Sequence, residues 1–335
     1  MEVHLLHSTN IFINLAMEQS LFLSMRRRPA QRLLLIWKND PCVVMGRFQN
    51  PWLECDLEKM RSHNVGLARR QSGGGTVYHD RGNLNASFLD WNENYSKESI
   101  NHILIETLNQ ALKERGLTAF ASGRSDIQIE TAQGNRKVSG AAFKKKKDRS
   151  FHHATMLLNS QLDLLNQYLT PKYDQEQMST KAIASVRANV ANIQVCENDF
   201  KSSLIKNFEN FHKQKAQIFE WDEARILKRL EGRRDYYHHL ISWEWIYGET
   251  PLFETCLQEA DWSARLKVKK GVIKEALLEH EGLHPSFLQE MSVLLEKTKL
   301  TKASLKECFK NSLAKSYEKE AGLLEKMLTQ AFTPL

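Results

Sequence analysis

The chain has 335 residues, of which 41% are hydrophobic and 26% charged, and its formal net charge is +7 at pH 7. This length can bury a large core and favours two domains over one, and the composition is typical of a soluble globular protein. No run reaches the roughly 18 apolar residues that a membrane span requires, and the net charge permits acidic partners, nucleic acid included, without demanding them.

The first predicted elements are a helix, strands and a second helix. The segment "IFINLAMEQSLFLSM" repeats apolar residues at helical spacing and places four of them on one face: Ile11, Leu15, Phe22 and Met25. "LLLIW" and "CVVMG" are short apolar strands around a turn at Pro41, and Trp52 to His63 is a predicted helix. The strand "VGLARR" then leads, through Arg69 and Arg70, to a run of three glycines.

The next segments alternate between strands and one clear helix. "NLNASFL" and "HHATMLLNS" are predicted strands. Residues Glu98 to Arg115 form a helix with one apolar face, and Gly116 stands where a C-terminal cap belongs. "DIQIETAQGNRKVSG" is a predicted hairpin that turns at Gly134-Asn135 and carries Lys137 on its returning strand.

The texture of the sequence changes beyond Leu165. Residues Lys172 to Lys181 are polar and predict a mobile loop, and the part after Pro251 is rich in lysine and glutamate and largely helical in pattern. The aromatic segment "WEWIYGETPLF" marks the predicted boundary between two domains. We therefore expect a catalytic domain over residues 1–250 and an accessory domain over residues 251–335.

The cysteines and the N-terminus bear on the compartment. Five cysteines are scattered without a C-x-x-C pair, which argues against a disulfide framework and against a zinc site. "MEVHLLHSTN" has neither the order of a signal peptide nor that of an Arg-rich presequence. We expect a cytoplasmic protein, with a mitochondrial location as the alternative for a processed eukaryotic form.

The glycine run in "QSGGGT" has several interpretations. It is not a Walker A loop, because the Gly-Lys-Ser/Thr ending is missing, and it lacks the G-x-G-x-x-G spacing of a dinucleotide fingerprint. It can be a turn between two strands. Two arginines before it, and the charged segments "SGRSDI" and "RKVSG" some fifty residues later, favour instead a cradle for a ligand with a phosphate and a carboxylate.

Five motifs together resemble the lipoate–protein ligase A family: "LARRQSGGGTVYHDRGN", "SGRSDI", "GNRKVSGAAF", "KDRSFHHATMLLN" and "SWEWIYGETPLF". The resemblance covers about three quarters of the chain. It implies an α+β fold, with a biotin/lipoate-ligase-like catalytic domain (a mixed sheet flanked by helices) and a small C-terminal accessory domain. The Gly-Arg-Gly-Arg signature of biotin ligases is absent, which favours lipoate over biotin. Ser125, Ala154 and Ala182 depart from the residues that the family commonly has.

The resemblance implies a role for each motif residue. Lys137 is the implied catalytic residue: its ammonium would lie between the lipoate carboxylate and the α-phosphate of ATP. Asp126 would orient Lys137 or hold Mg²⁺. The implied ATP and lipoyl-AMP site consists of Arg70, Ser72, Gly73, Gly74, Gly75, Thr76, Val77, Tyr78, His79, Asn83, Arg124, Asp126, Lys137, Ser139, Gly140, His153, Thr155, Lys181 and Ala184.

Simpler interpretations exist for several of these residues. Arg70 can be a strand-end surface arginine, Tyr78 a core residue and Asp126 a turn cap. Adjacent residues of a strand point to opposite faces, so His152 and His153 are not expected to share a zinc ion. The run from Lys144 to Lys147 is either a solvated loop or a positive patch that attracts acidic acceptor domains.

The implied function is an ATP-dependent ligase. Lipoate, (R)-lipoate in the family, and ATP would give lipoyl-AMP, and the lipoyl group would pass to a lysine of an acceptor. The implied acceptors are the lipoyl domains of 2-oxoacid dehydrogenase E2 subunits and the glycine cleavage H protein. A lipoyltransferase that uses preformed lipoyl-AMP has the same motifs and stays open. A nucleic-acid-binding protein rests on the pI near 9 alone, and we expect neither a nucleic acid nor a membrane as partner.

Overall fold

The computed structural model describes residues 1–25, 31–123, 125–173, 177–310 and 317–332, with all side chains in these ranges except those of residues 233 and 234. Its helices are α1 Ile11–Ser24, α2 Pro51–Glu54, α3 Leu57–Ser62, α4 Lys97–Leu112, α5 Leu162–Tyr168, α6 Glu197–His212, α7 Glu223–Leu230, α8 Arg234–Ile241, α9 Trp243–Ile246, α10 Pro285–Leu295, α11 Lys302–Lys310 and α12 Glu318–Phe332. Its strands are β1 Glu2–Leu6, β2 Leu33–Trp37, β3 Cys42–Met45, β4 Gly66–Arg69, β5 Val77–His79, β6 Asn83–Trp91, β7 Ala119–Ser122, β8 Asp126–Thr131, β9 Gly134–Lys145, β10 Arg149–Leu157, β11 Met178–Thr180, β12 Gln217–Trp221, β13 Phe253–Glu259, β14 Trp262–Lys269 and β15 Val272–His280.

The largest sheet is mixed. Its eight strands run in the order β12-β1-β2-β6-β10-β9-β8-β7, with β1 parallel to both neighbours and the pairs from β2 to β7 antiparallel. A smaller sheet has the order β4-β3-β5. The predicted mixed sheet flanked by helices is confirmed.

The two faces of the large sheet differ in chemistry. One face supplies Leu34, Ile36, Phe88 and Met156 to a core that also contains apolar residues of α4 and α6. The opposite face carries more polar side chains beside three leucines, Leu33, Leu35 and Leu89, and we call it the polar face. Its other residues, which the strand register aligns, include Trp37, Asn85, Ser87, Gly140, Ala142, Lys144, Phe151, His153 and Thr155.

Helix α1 lies against the polar face. It begins where the Asn10 side chain accepts hydrogen bonds from the backbone N–H groups of Phe12 and Ile13, as an N-cap does. Phe22 of this helix contacts the ring of Phe151 edge to face at 5.1 Å. Residues Ile11 and Ile13 through Phe22 are all buried, because the helix is covered on both sides.

Other elements differ from their predictions in detail. The predicted helix from Trp52 to His63 is two short helices, α2 and α3, because Asp56 caps a new helix by accepting from the N–H of Lys59. The turn of the predicted hairpin lies at Ala132 and Gln133, and Gly134 follows with φ +89° as the first residue of the returning strand. The prediction of the turn at Gly134-Asn135 was therefore wrong by two residues.

The prediction of a largely helical region after Pro251 was wrong for its first part. Strands β13, β14 and β15 form an antiparallel sheet, with β11 on its outer edge, before helix α10 begins. Strand β14, "WSARLKVK", buries every second residue, which is the pattern of a strand with one covered face. Strand β11 lies inside the segment that we predicted to be a mobile loop.

Contacts divide the chain into two compact units. The first contains residues Met1–Arg47, Leu67–Asn166 and Ser185–Ile241, and the second contains Phe48–Gly66, Gln167–Ala184 and Ser242–Leu335. The second unit thus includes two segments that precede residue 250. A division into domains at residues 250 and 251 stays a prediction. Within the described parts of both units, no helix has the length and apolar character needed to cross a membrane.

Candidate active site

The glycine loop, residues Ser72 to Thr76, runs from β4 to β5 over the polar face. Gly74 has φ +84°, a backbone conformation that residues other than glycine adopt only at a cost in free energy. A Cβ atom on Gly46, the residue after β3, would lie 2.1 Å from the carbonyl oxygen of Gly74, so the backbone at Gly46 and the loop touch directly. The positive φ at Gly74 and the close approach at Gly46 therefore require glycine even without a ligand.

Arg70 holds the loop from inside. Its side chain is buried, and its guanidinium donates to the carbonyl oxygens of Val44 at 2.9 Å, Gly73 at 2.6 Å and Gly75 at 2.7 Å. Its Nε donates to the hydroxyl of Ser72 at 3.0 Å. The surface-arginine interpretation is wrong, because the side chain is buried. The planar guanidinium instead fixes the path of the glycine loop.

A serine outside the predicted set completes the loop. The hydroxyl of Ser185 accepts a hydrogen bond from the backbone N–H of Thr76 at 2.8 Å, and it would lie 3.1 Å from a Cβ atom on Gly75. Backbone N–H groups of such a loop are the donors that bind anions in other proteins. Ser185 therefore occupies one donor that a phosphate could use.

Substitution of Gly73 and of Gly74 should have different effects, on ligand affinity and on stability respectively. A Cβ atom on Gly73 meets nothing within 4 Å, whereas one on Gly74 would lie 3.0 Å from Nη2 of Arg70. We expect Gly74→Ala to lower the free energy of unfolding in urea by about 1–2 kcal/mol, the cost of a left-handed residue with a side chain. Gly73→Ala should unfold like the wild type but bind ATP or lipoate more weakly in calorimetry. Unchanged affinity for both ligands would show that neither approaches the loop at Gly73.

Lys137 and Asp126 form an ion pair at the edge of the polar face. The Nζ atom of Lys137 lies 2.8 Å from Oδ1 of Asp126, and both side chains are partly exposed. The register of β8 and β9 pairs Asp126 with Gly140 and Ile127 with Ser139, but Gln128 with Lys137. Val138 is thus one extra residue, a β-bulge, and it turns Lys137 to the side of Asp126.

Gly140 leaves room for the lysine. A Cβ atom at this position would lie 2.9 Å from both Cε and Nζ of Lys137. The hydroxyl of Thr155 accepts from the N–H of Gly140 at 3.1 Å and lies 3.2 Å from its carbonyl oxygen. Lys137, Asp126, Gly140 and Thr155 therefore form one group, with an ammonium at its centre that can bind an anion.

His79 lies buried beside Trp37 and Asn39. Asn39 presents Oδ1 to the amide nitrogen of Asn14, so its own Nδ2 donates to Nδ1 of His79 at 2.8 Å. Burial, with Arg70 nearby, lowers the pKa of His79 to about 3, so its imidazole is neutral and carries its proton on Nε2. Nε2 has no hydrogen-bond partner among the described residues.

The structure places the remaining predicted residues as follows. Val77 and Tyr78 belong to β5, with Tyr78 almost fully buried against β3, as the core interpretation predicts. Asn83 is buried and donates to Asn85 at 3.2 Å. Ser139 pairs with Ile127, a core residue, so its side chain lies on the face opposite to Lys137. Lys181 and Ala184 belong to the second compact unit. Arg124 lies outside the described residues.

The two adjacent histidines point to opposite faces. Nδ1 of His152 lies 3.3 Å from the hydroxyl of Tyr95, and Nε2 of His153 lies 2.8 Å from the hydroxyl of Ser72. Within the described ranges no three His, Cys, Asp or Glu side chains are placed to share a metal ion. Asp126 offers one carboxylate, which matches the way Mg²⁺ is held when substrate phosphates supply the other ligands.

Comparison with known proteins identifies the family. Residues 10–209 match the model of the lipoyl protein ligase A/B catalytic domain. The chain belongs to this family. It is 36% identical over 334 residues to a lipoate-protein ligase A of Bdellovibrio bacteriovorus, which covers 97% of this chain and 96% of that relative. The predicted membership of the lipoate–protein ligases, and with it a ligase enzyme, is confirmed.

Solved structures of family members have the same fold. The P. falciparum protein LipL1, in complex with lipoate, matches 98% of this chain and 99% of its own with TM-score 0.63 and 27% identity. A bipartite lipoate protein ligase from Thermoplasma acidophilum, described with its E2 lipoyl domain, matches 74% of this chain and 97% of its own with TM-score 0.58 and 25% identity. A lipoate-protein ligase A bound with ATP matches 74% of this chain and 100% of its own with TM-score 0.57 and 25% identity.

Proposed function

We propose that this chain activates lipoate with ATP to lipoyl-AMP and pyrophosphate, and then transfers the lipoyl group to a lysine of an acceptor domain. The observation that carries the proposal is the ion pair of Lys137 and Asp126 beside Gly140, at the edge of the polar face that the glycine loop covers. The family supports the substrates, since one related structure contains lipoate and another contains ATP.

Lys137 is the proposed catalytic residue of both steps. In the first step, one lipoate carboxylate oxygen attacks the α-phosphorus of ATP, the new P–O bond forms, and pyrophosphate leaves. The ammonium of Lys137 draws the two anions together and stabilises the charge that develops on the phosphoryl oxygens. In the second step, the neutral acceptor amine attacks the acyl carbon, and the same ammonium stabilises the oxyanion. The bond between the acyl carbon and the phosphate oxygen then breaks, AMP leaves, and the new amide nitrogen gives up one proton to water.

Asp126 orients the ammonium in this scheme and is the proposed carboxylate for Mg²⁺. Bound with the nucleotide, Mg²⁺ would neutralise phosphate charge. Arg70 acts through the shape of the glycine loop, because its guanidinium is occupied with the loop carbonyls. A direct contact of Arg70 with the adenylate is not needed for this role.

The experiment that tests the proposal is pyrophosphate release by the purified chain with lipoate and ATP, in the absence of any acceptor. Lipoate-dependent release is expected from a complete ligase. A lipoyltransferase would release none, yet would lipoylate an acceptor when lipoyl-AMP is supplied. Activity in neither assay would contradict both functions.

The proposed acceptors are the lipoyl domains of 2-oxoacid dehydrogenase E2 subunits and the glycine cleavage H protein. The E2 lipoyl domain described with the T. acidophilum ligase supports the first of these. The cytoplasm is the proposed compartment. A cytoplasmic location stays a prediction from the sequence.

Substitutions in the lysine run at the end of β9 test whether this run attracts the acceptor domain. Lys144 is not part of an exposed run, because its Nζ donates to Oε1 of Gln71 at 3.0 Å and burial lowers its pKa to about 8. Lys145, Lys146 and Lys147 are exposed. We expect the triple change of these three to glutamine to raise KM for an acceptor domain at low ionic strength, because a positive patch acts on encounter.

Salt and the first half-reaction provide the controls for the triple variant. The difference from wild type should vanish at high ionic strength, where screening removes what the substitutions removed. Lipoyl-AMP formation should not change at any salt concentration, since lipoate and ATP do not bind at these lysines. Equal KM values at low salt would show that the three lysines are merely solvated.

A further inference from the structure

Glu18 is connected to the glycine loop by a chain of buried hydrogen bonds. It is the single ionisable residue of α1, and it is 3% exposed. Its Oε1 atom lies 3.1 Å from Nδ1 of His153, and Nε2 of the same imidazole lies 2.8 Å from the hydroxyl of Ser72. The chain therefore runs from the helix, through one histidine, to the first residue of the glycine loop.

The donors at the two ends fix the direction of this chain. Nε of Arg70 can only donate, so the hydroxyl oxygen of Ser72 accepts its hydrogen bond at 3.0 Å. At the other end the carboxylate of Glu18 can only accept, so Nδ1 of His153 carries a proton and donates it to Oε1. An imidazole with this one proton accepts at Nε2, and the hydroxyl of Ser72 donates to it.

A second donor reaches the same carboxylate oxygen. The hydroxyl of Ser87 donates to Oε1 of Glu18 at 2.6 Å, and it accepts from the indole N–H of Trp37 at 3.0 Å. Every hydrogen bond of both branches thus points toward Glu18. A buried carboxylate orients the groups whose hydrogen bonds it accepts.

We infer that Glu18 is a positioning residue for adenylate formation, which acts by holding His153 in the Nδ1–H tautomer and thereby orients Ser72, Arg70 and the glycine loop. The inference rests on the proposed function, because adenylate formation is the step that needs the loop. Neither Glu18 nor its connection to the loop was predicted from the sequence.

The same order of groups, hydroxyl to imidazole to carboxylate, activates a nucleophile in serine hydrolases. Here the hydroxyl of Ser72 already accepts from Arg70, and Ser72 is 1% exposed. Ser72 therefore orients the loop and does not attack the acyl group. No acyl-Ser72 should be found by mass spectrometry after turnover with lipoate and ATP.

The test compares Glu18→Gln and Glu18→Leu with Ser87→Ala. The glutamine keeps the shape and weakens the acceptor, and the leucine removes it. Ser87→Ala deletes a buried hydrogen bond to the same oxygen but leaves the link to His153. A misplaced loop costs up to about 100-fold in rate. We expect kcat for lipoate-dependent pyrophosphate release to fall about 10-fold in Glu18→Gln and about 100-fold in Glu18→Leu.

The expected result separates positioning from packing. KM for lipoate and ATP should change less than kcat in both Glu18 variants, and Ser87→Ala should keep kcat close to wild type. If Ser87→Ala loses as much as Glu18→Gln, or if neither loses activity, Glu18 only satisfies core donors and the inference is overturned. Wild-type protein that releases no pyrophosphate would instead overturn the proposed function.

A spectroscopic measurement is independent of activity. The imidazole ¹⁵N spectrum at pH 8.5, where imidazole in water is neutral, reports which ring nitrogen carries the proton. His153 is assigned by the signal that His153→Gln lacks. We expect the Nδ1–H tautomer in the wild type and a shift away from it in Glu18→Leu. An Nε2–H tautomer in the wild type would overturn the inference whatever the kinetics show.

Discussion

Lys137→Ala is expected to leave the fold intact and to lower the rate of lipoyl-AMP formation by about 10²–10³-fold or more, the cost of losing a pre-aimed charge. The side chain makes no contribution to the core, because it lies partly exposed beside Asp126 and over the open space at Gly140. The melting temperature should therefore stay near that of the wild type. Pyrophosphate release measures the first step, and single-turnover transfer from supplied lipoyl-AMP measures the second.

The matched control for this variant is Lys145→Ala, an exposed lysine of the same strand. It should retain the activity of the wild type in the first step. Because one ammonium serves both steps, Lys137→Ala should lose both together. Lipoyl-AMP formation at a near wild-type rate in Lys137→Ala would contradict the proposed mechanism.

Arg70→Lys is expected to destabilise the protein and to impair both ligand binding and activity, although the charge is kept. Four acceptors surround the guanidinium: the carbonyl oxygens of Val44, Gly73 and Gly75 and the hydroxyl of Ser72. A lysine cannot reach them all from one point, and buried acceptors without donors cost free energy. We expect a loss of about 3 kcal/mol in the free energy of unfolding in urea.

Arg81→Lys is the control for Arg70→Lys. Arg81 forms an ion pair with Asp40 at 2.7 Å, but both side chains are exposed, so the substitution should change the unfolding free energy by less than about 0.5 kcal/mol. If Arg70→Lys behaves like this control, the guanidinium does not hold the loop. Loss of activity without loss of stability would then favour a direct contact of Arg70 with the ligand.

Local signals predicted much of the first compact unit. The helical spacing in "IFINLAMEQSLFLSM" predicts α1, and Gly116 ends the segment after α4 with φ +62° where a cap was expected. Such features depend on neighbours within one turn of the chain. The strands after Pro251 differ from the prediction, because a high content of lysine and glutamate indicates helix, although the alternation in "WSARLKVK" indicates a strand.

The candidate site divides in the same way. The glycine run and the charged segments predict a ligand cradle, the family resemblance implies that Lys137 and Asp126 belong to it, and the structure places these two residues in contact. The tasks of Gly46, Ser185 and Glu18 depend on segments far away in sequence, and no local pattern contains them. Glu18 does leave a trace, since it is the single charged residue in an otherwise uncharged helix.

Because Val138 is an extra residue, the number of residues between Lys137 and Gly140 decides on which face of the sheet the Lys137 ammonium lies. Side chains of a strand alternate, so removal of one residue between Lys137 and Gly140 would move the lysine to the other side of the sheet without changing its identity. On that side lie Ile127 and the other apolar residues of the core, where an ammonium has no water and no carboxylate. The returning strand is therefore far more sensitive to a change in its length than to a change of side chain at its exposed positions. In a comparison with a relative, a deletion between Lys137 and Gly140 would affect the site more than a substitution at an exposed position of β9.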